Sequence, residues 1–302
     1  MWEYRFGNSK GEGEEDMSLT LMYITNNPVT AQIAQEAGVD RIWVDMEYIG
    51  KEERQGGLDT VKSHHTVEDI KCLRPIIDKS ELLVRVNPLH EASIDYCSSK
   101  EEIEATIQAG ADVIMLPMFR TAVDAERFVQ YVDGRAKVQL LLETAEAAEN
   151  IDDILKVDGV DEIHIGLNDL HLAYKKTFMF ELLCDGTVEK LCHKMQNKGI
   201  KYGFGGIARV GYGLLPAEYI IAEHYHLGST AAILSRGFCD ANIVKDPLEI
   251  ENIFIEGVKN IRLKEQEVSR YTEEQYRDNL KVVNEKVTEI VRTIKERRLK
   301  QQ

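Results

Sequence analysis

Glu143 and Asp169 each follow a short apolar run, Gln139-Leu-Leu-Leu142 and Ile163-His-Ile165, as expected of a strand that ends on a carboxylate. Two carboxylates, with water filling the remaining positions, are a usual way to hold Mg²⁺ or Mn²⁺ open to substrate oxygens. A structural reading is also available, with Glu143 capping the helix at Ala145 and Asp169 paired to a lysine. Arg85 closes Leu82-Leu-Val-Arg85, and its planar fork suits a carboxylate, an enolate or a salt bridge to Glu143. Asp45, Glu47 and Tyr48 end another apolar run, where only one of the two acids is expected to face the same mouth as Arg85. His64 and His65 stand in the segment that follows, and residues 51–57 make it long and polar, in the manner of a lid or a solvated loop. Pro117, Gly166 and Asn168 sit at two further run ends, while Gly203, Gly205 and Gly206 could bring backbone N–H groups to an anion. His164, inside a run, reads as a wall residue, and His224 and His226 read as structural.

These residues need a scaffold that gathers strand ends. Short runs rich in Val, Ile and Leu cover residues 19–25, 41–46, 82–86, 113–117, 138–143, 162–166, 201–205 and 231–235. They lack strict alternation, the mark of strands buried on both faces of a parallel sheet. Amphipathic stretches at 28–37, 66–78, 99–109, 121–132, 145–155 and 188–198 separate them. Three junctions share one wording, Ala37-Gly-Val-Asp40, Ala109-Gly-Ala-Asp112 and Asp158-Gly-Val-Asp161, with glycine as a left-handed helix stop just before the next strand. Eight such units predict a (β/α)8 TIM barrel over residues 18–245, with an open doubly wound sheet as the alternative. Residues 1–17 form an acidic leader expected to be flexible. Residues 246–302 form a C-terminal helical extension whose stripe of Leu280, Val283, Val287, Ile290 and Ile294 suits a barrel cover or a homo-oligomer contact.

Bulk properties narrow the partners. With 37 basic and 52 acidic residues and a net charge of −15, the surface repels nucleic acid and anionic membranes. No apolar run approaches the roughly 20 residues needed to span a bilayer. Five scattered cysteines without close pairing read as reduced thiols of a cytoplasmic protein, neither a disulfide framework nor a zinc site.

From about Thr20 to Phe238 the chain resembles the HpcH/HpaI family, which holds 4-hydroxy-2-oxo acid aldolases and the citrate lyase β-chain. The resemblance is most specific in Leu142-Glu143-Thr144-Ala-Glu-Ala147, Asp158-Gly-Val-Asp161 and Ile165-Gly166-Leu-Asn168-Asp169-Leu170, and extends to Leu83-Val-Arg85-Val-Asn-Pro88, Leu116-Pro117 and Leu227-Gly-Ser229. It implies Glu143 and Asp169 as the two protein ligands of Mg²⁺ or Mn²⁺, and Arg85 as the group that holds the oxygen of a keto acid or its enolate. The implied reaction is a metal-dependent lyase step on a small 2-oxo acid, cleaving or forming the C–C bond through a pyruvate enolate. The alternatives are a CoA-ester lyase, other enolate chemistry on a sugar acid, or a binding barrel without catalysis. Two departures stand out: the aldolase histidine that serves as base is replaced at Tyr48, and the 50–65 loop is longer. A tyrosine is a poor base at neutral pH. The expected base is therefore His64 or His65, oriented by Asp45 or Glu47, with Tyr48 donating a hydrogen bond to substrate.

Overall fold

The computed structural model describes residues 18–50, 65–241 and 243–301. The acidic leader, most of the expected lid and His64 lie outside them. Every expected run is a strand: β1 (Thr20–Ile24), β2 (Arg41–Asp45), β3 (Glu81–Arg85), β4 (Val113–Leu116), β5 (Lys137–Leu142), β6 (Glu162–Ile165), β7 (Lys201–Ile207) and β8 (Ala231–Leu234). All pair in parallel in sequence order, and β1 closes on β8, so the TIM barrel holds and the open sheet does not. Among the described residues the helices are α1 (Pro28–Glu36), α2 (Val67–Leu73), α3 (Ser99–Gln108), α4 (Ala122–Val132), α5 (Ala145–Glu149), α6 (Ile151–Ile154), α7 (Leu167–Ala173), α8 (Glu181–Cys184), α9 (Thr187–Lys198), α10 (Ala217–His226), α11 (Pro247–Val268) and α12 (Glu273–Gln301).

Strand parity sorts the interior into levels. Ile42, Val44, Leu82, Val84, Leu140 and Ile163 point outward into the main core beneath the helices. Their neighbours point inward. At the floor, Arg41 donates to Glu81 at 2.8 Å and by two bonds to Glu162 at 2.5 and 2.7 Å, which pairs a cation that would otherwise be costly to bury. Above it, Trp43, Leu83, Met115 and Leu141 form a separate apolar plug. One step higher along the same strands stand Asp45, Arg85 and Glu143. The barrel is thus filled to just below its mouth, and the charged residues at the top rest on an apolar support.

The C-terminal extension fastens to this barrel. Glu265 on α11 accepts from the Leu19 amide at 2.6 Å, and Arg262 donates to the Leu19 carbonyl at 2.8 Å, clamping the start of β1. Phe254 and Ile261 of the same helix are fully buried. On α12, Asn279 donates to Tyr219 O and to Glu223 on α10, and Val283 and Val287 enter the main core. The apolar stripe therefore covers the barrel of its own chain. No helix among the described residues is long and apolar enough to cross a membrane.

Candidate active site

Asp45 ends β2 and Arg85 ends β3 at the same register position, so the two side chains meet at the mouth. Arg85 Nε and Nη2 donate to the two Asp45 oxygens, each at 2.8 Å, and Nη1 lies 3.2 Å from Glu47 Oε2. Both acids thus reach Arg85. The expectation that only one would fails because β2 ends at Asp45 and the turn beyond it, pinned by Asn87, brings Glu47 to the same guanidinium. The Arg85 guanidinium also lies over the Trp43 ring, 5.1 Å from its centre. Burial disfavours the charge of Arg85, but Asp45, Glu47 and Glu143 outweigh that effect and hold its pKa above the ordinary arginine value. The fork is fixed in place and permanently charged.

Glu143 follows the last residue of β5 and is buried. It is not the cap of α5; Thr144 is, accepting from the Ala147 amide at 3.1 Å. Glu143 Oε1 accepts from the Met118 amide at 3.1 Å, and Met118 holds a positive φ of 53° to present that N–H. Desolvation, reinforced by the nearby charges of Glu47 and Asp169, pushes the Glu143 pKa well above the usual carboxylate range despite Arg85. Asp169 lies in the first turn of α7, directly after β6. Gly166, between β6 and α7, has no room for a side chain: a Cβ there would come within 2.8 Å of Glu143 Cβ and 2.9 Å of its Oε2. The glycine lets the two acid-bearing elements close on each other.

These groups share one cavity of about 1280 Å³, lined by Trp43, Asp45, His65, Arg85, Glu143, His164, Gly166, Asn168, Asp169, Gly205 and Gly206, with further residues from the loops after β7, β8 and β1. Gly205 and Gly206 serve close packing there: a Cβ on Gly205, whose φ is +52°, would come within 2.7 Å of Leu167, and one on Gly206 within 3.2 Å of Ile233 O. Pro117 is buried and stands outside the cavity lining. His164 lines the cavity as well as the wall. Its Nε2 is 3.0 Å from Gly205 O, burial lowers its pKa to about 4, and Nδ1 has no partner among the described residues.

His65 enters this cavity, but its ring is committed. Nδ1 accepts from the Asp45 amide at 3.0 Å, so the neutral ring carries its proton on Nε2. The orienting group is thus the backbone of Asp45, and in this state His65 is a donor. Tyr48 is 42 % exposed and packs on Tyr96 with ring centres 5.5 Å apart, outside the cavity lining. Burial and the charge of Glu102 raise its pKa further, which moves it away from any base role. Two contributors escaped the sequence reading. Trp43 stands two positions before Asp45, and strand parity alone could have found it. Asn87 accepts from the Tyr48 and Ile49 amides at 2.9 and 3.0 Å and fixes the turn after β2; no sequence pattern announces it.

A closed parallel barrel whose mouth sets an arginine among four carboxylates is the architecture of a barrel enzyme. The family model for HpcH/HpaI aldolase/citrate lyase matches residues 19–200. The chain belongs to this family, and so to the lyases of the pyruvate/phosphoenolpyruvate superfamily. Among solved structures it is similar to an HpcH/HpaI aldolase/citrate lyase family protein from Burkholderia cenocepacia J2315 (TM-score 0.55, 15 % identity, covering 73 % of this chain and 89 % of that one). It is also similar to the HpcH/HpaI aldolase of Desulfitobacterium hafniense DCB-2 (0.54, 17 %, 82 % and 93 %) and to the citrate synthase SbnG (0.54, 17 %, 74 % and 89 %). At such identities these likenesses concern the fold. No curated protein matches the sequence significantly.

Proposed function

We propose that this protein is a divalent-metal-dependent carbon–carbon lyase that cleaves or forms a 4-hydroxy-2-oxo acid through a pyruvate enolate. The observation that carries the reading is the fixed Arg85 fork, held by Asp45 and Glu47, in the same cavity as Glu143 and Asp169.

The donor set fits a hard cation. Glu143 and Asp169 are oxygen donors brought together by the missing Cβ of Gly166, and like charges crowd Glu143 in a buried place. A cation there relieves that crowding. Among the described residues no cluster of three or more His, Cys, Asp or Glu suits a metal, so an ion held by these two takes its other donors from water or substrate, the habit of Mg²⁺ and Mn²⁺. When bound, the ion supplies Lewis-acid polarisation of the substrate carbonyl.

The chain's own residues do the rest. Arg85 faces the oxygen on which negative charge develops as the C–C bond breaks, and it needs no reorganisation because its position is already set. It gives two bonds of 2.8 Å to Asp45 and stands 3.2 Å from Glu47 Oε2. Asp45 lines the cavity and Glu47 is buried beside it against the same fork, and the hydroxyl proton is assigned to this pair of acids. His65, with its proton on Nε2, serves as donor to a substrate oxygen. A CoA ester is the weaker reading, since Arg85, Arg236 and Lys245 are the only arginine and lysine side chains among the described cavity residues.

His65→Asn should then lower turnover by roughly 10-fold at most and leave the acid limb of the pH–rate profile in place, whereas Glu47→Gln should cost about 10²–10⁴-fold, the range of general acid–base catalysis. Steady-state kinetics across pH decides; loss of the acid limb in His65→Asn would restore the histidine as base. The function itself is tested by pyruvate release from 4-hydroxy-2-oxo acids, with and without Mn²⁺. No release from any such acid at saturating Mn²⁺ would refute it.

A further inference from the structure

The cavity is divided. Its charged half stands over β2, β3, β5 and β6. The other half, formed by the segment after β6 and by those after β7, β8 and β1, carries most of the apolar side chains: Phe180, Leu215 and Ile250 are buried there, and Val29, Leu214 and Ile243 are 54 %, 69 % and 78 % exposed, with Asn27, Ser235 and Asp240 among them. The whole is about 1280 Å³, above the roughly 300–1,000 Å³ of ordinary small-molecule sites. A three-carbon oxo acid at Arg85 leaves most of that space unfilled. Isolated apolar side chains at a surface need no explanation, but apolar side chains gathered in the lining of one cavity beside a charged site suit the apolar part of a ligand. The cations on this side, Arg236 and Lys245, are few for a phosphorylated substituent, and Lys245 Nζ donates to the Ala241 carbonyl at 2.9 Å.

We infer that the second substrate, the aldehyde half of the 4-hydroxy-2-oxo acid, carries a long apolar substituent that lies along the Phe180, Leu215 and Ile250 wall. This rests on the reading of the charged half as the pyruvate site. The aldehyde carbon meets the donor at Arg85, and its tail extends away from the carboxylates toward the rim. Chain length then governs specificity, because each methylene buried against the wall is worth roughly fourfold in affinity or in kcat/KM.

Two measurements on the full chain keep the inference separate from the function it builds on. In the first, straight-chain alcohols from propanol to octanol are titrated calorimetrically, which requires no catalysis. Affinity is expected to rise by at least tenfold across the series, and Leu214→Asp or Ile243→Asp, both at exposed positions where folding is not at stake, should remove that gain. In the second, pyruvate is added to aldehydes of the same lengths in the presence of Mg²⁺. The expected kcat/KM rises with length in the native chain, and the two aspartate variants lose the rise. Alcohol affinity that does not rise with length overturns the inference, whatever the enzyme does with pyruvate. Alcohol affinity that rises while pyruvate is inert with every aldehyde supports the apolar wall as a tail site and removes the pyruvate reading instead. Addition that proceeds at one rate for all lengths also overturns it.

Discussion

Glu143→Ala and Asp169→Ala should each weaken Mg²⁺ or Mn²⁺ binding by more than about 100-fold, since even the loss of a ligand's supporting contact costs 10–100-fold. Activity should fall with the metal. The fold should not. Glu143 is buried among Glu47 and Asp169, and only part of that charge is offset by Arg85. Its removal relieves like-charge crowding, so the metal-free variant should melt at the native temperature or above it. The native protein should gain thermal stability as Mg²⁺ is added, because a ligand that binds the folded state alone stabilises it by mass action. Both variants should lose that gain. Glu143→Gln is the informative control: it keeps the volume beside Gly166 and an oxygen for the Met118 amide while removing the charge. Calorimetry and melting curves with and without Mg²⁺ check the set. Unchanged metal affinity in both alanine variants would remove these residues from any metal site.

Arg85→Lys should lower kcat by about 10²–10³-fold, the usual loss when one preorganised donor to a developing oxyanion is removed. The substitution is chosen because charge is kept. Arg85→Ala would strand Asp45 and Glu47 without their counter-charge, and breaking a buried pair in that way costs about 3–5 kcal/mol, so lost activity could reflect lost structure. Lysine still neutralises the pair but presents one compact ammonium in place of a fork that binds Asp45 through two nitrogens and reaches Glu47 with a third. It also gives up the stacking over Trp43. Melting temperature should therefore move little while kcat falls. A variant within threefold of native turnover would mean that Arg85 only braces the two acids.

Much of this was legible in the sequence, and the reasons for what was not are physical. Strands buried on both faces announce themselves as apolar runs bounded by helix stops, so all eight emerged, as did Arg85, Glu143 and Asp169 at their ends. Side-chain partnership did not emerge. That Asp45 and Glu47 both hold Arg85 depends on the register of β2 against β3 and on the turn pinned by Asn87, and neither leaves a local pattern. His65 lines the cavity, yet its role turns on which ring nitrogen meets the Asp45 amide, and only coordinates disclose that. Tyr48 was drawn to the site by its place after Glu47, whereas the chain has left the strand by then and the ring turns outward to Tyr96. The stretch at 145–155 reads as one helix by its apolar spacing but divides at Asn150. The apolar half of the cavity is assembled from loops and from the starts of α1 and α11, far apart in the chain, and no local pattern joins them.

Enolate formation from a 2-oxo acid, as proposed for this barrel, is open to a direct test. Proton NMR of pyruvate in D₂O tests it without any knowledge of the aldehyde, since a methyl group that passes through an enolate takes up deuterium from the solvent. With protein and Mg²⁺ the methyl signal should decay well above the protein-free rate, stop on chelation, and be nearly lost in Arg85→Lys. A methyl signal that persists at the protein-free rate with saturating Mg²⁺ would rule out enolate formation in this barrel.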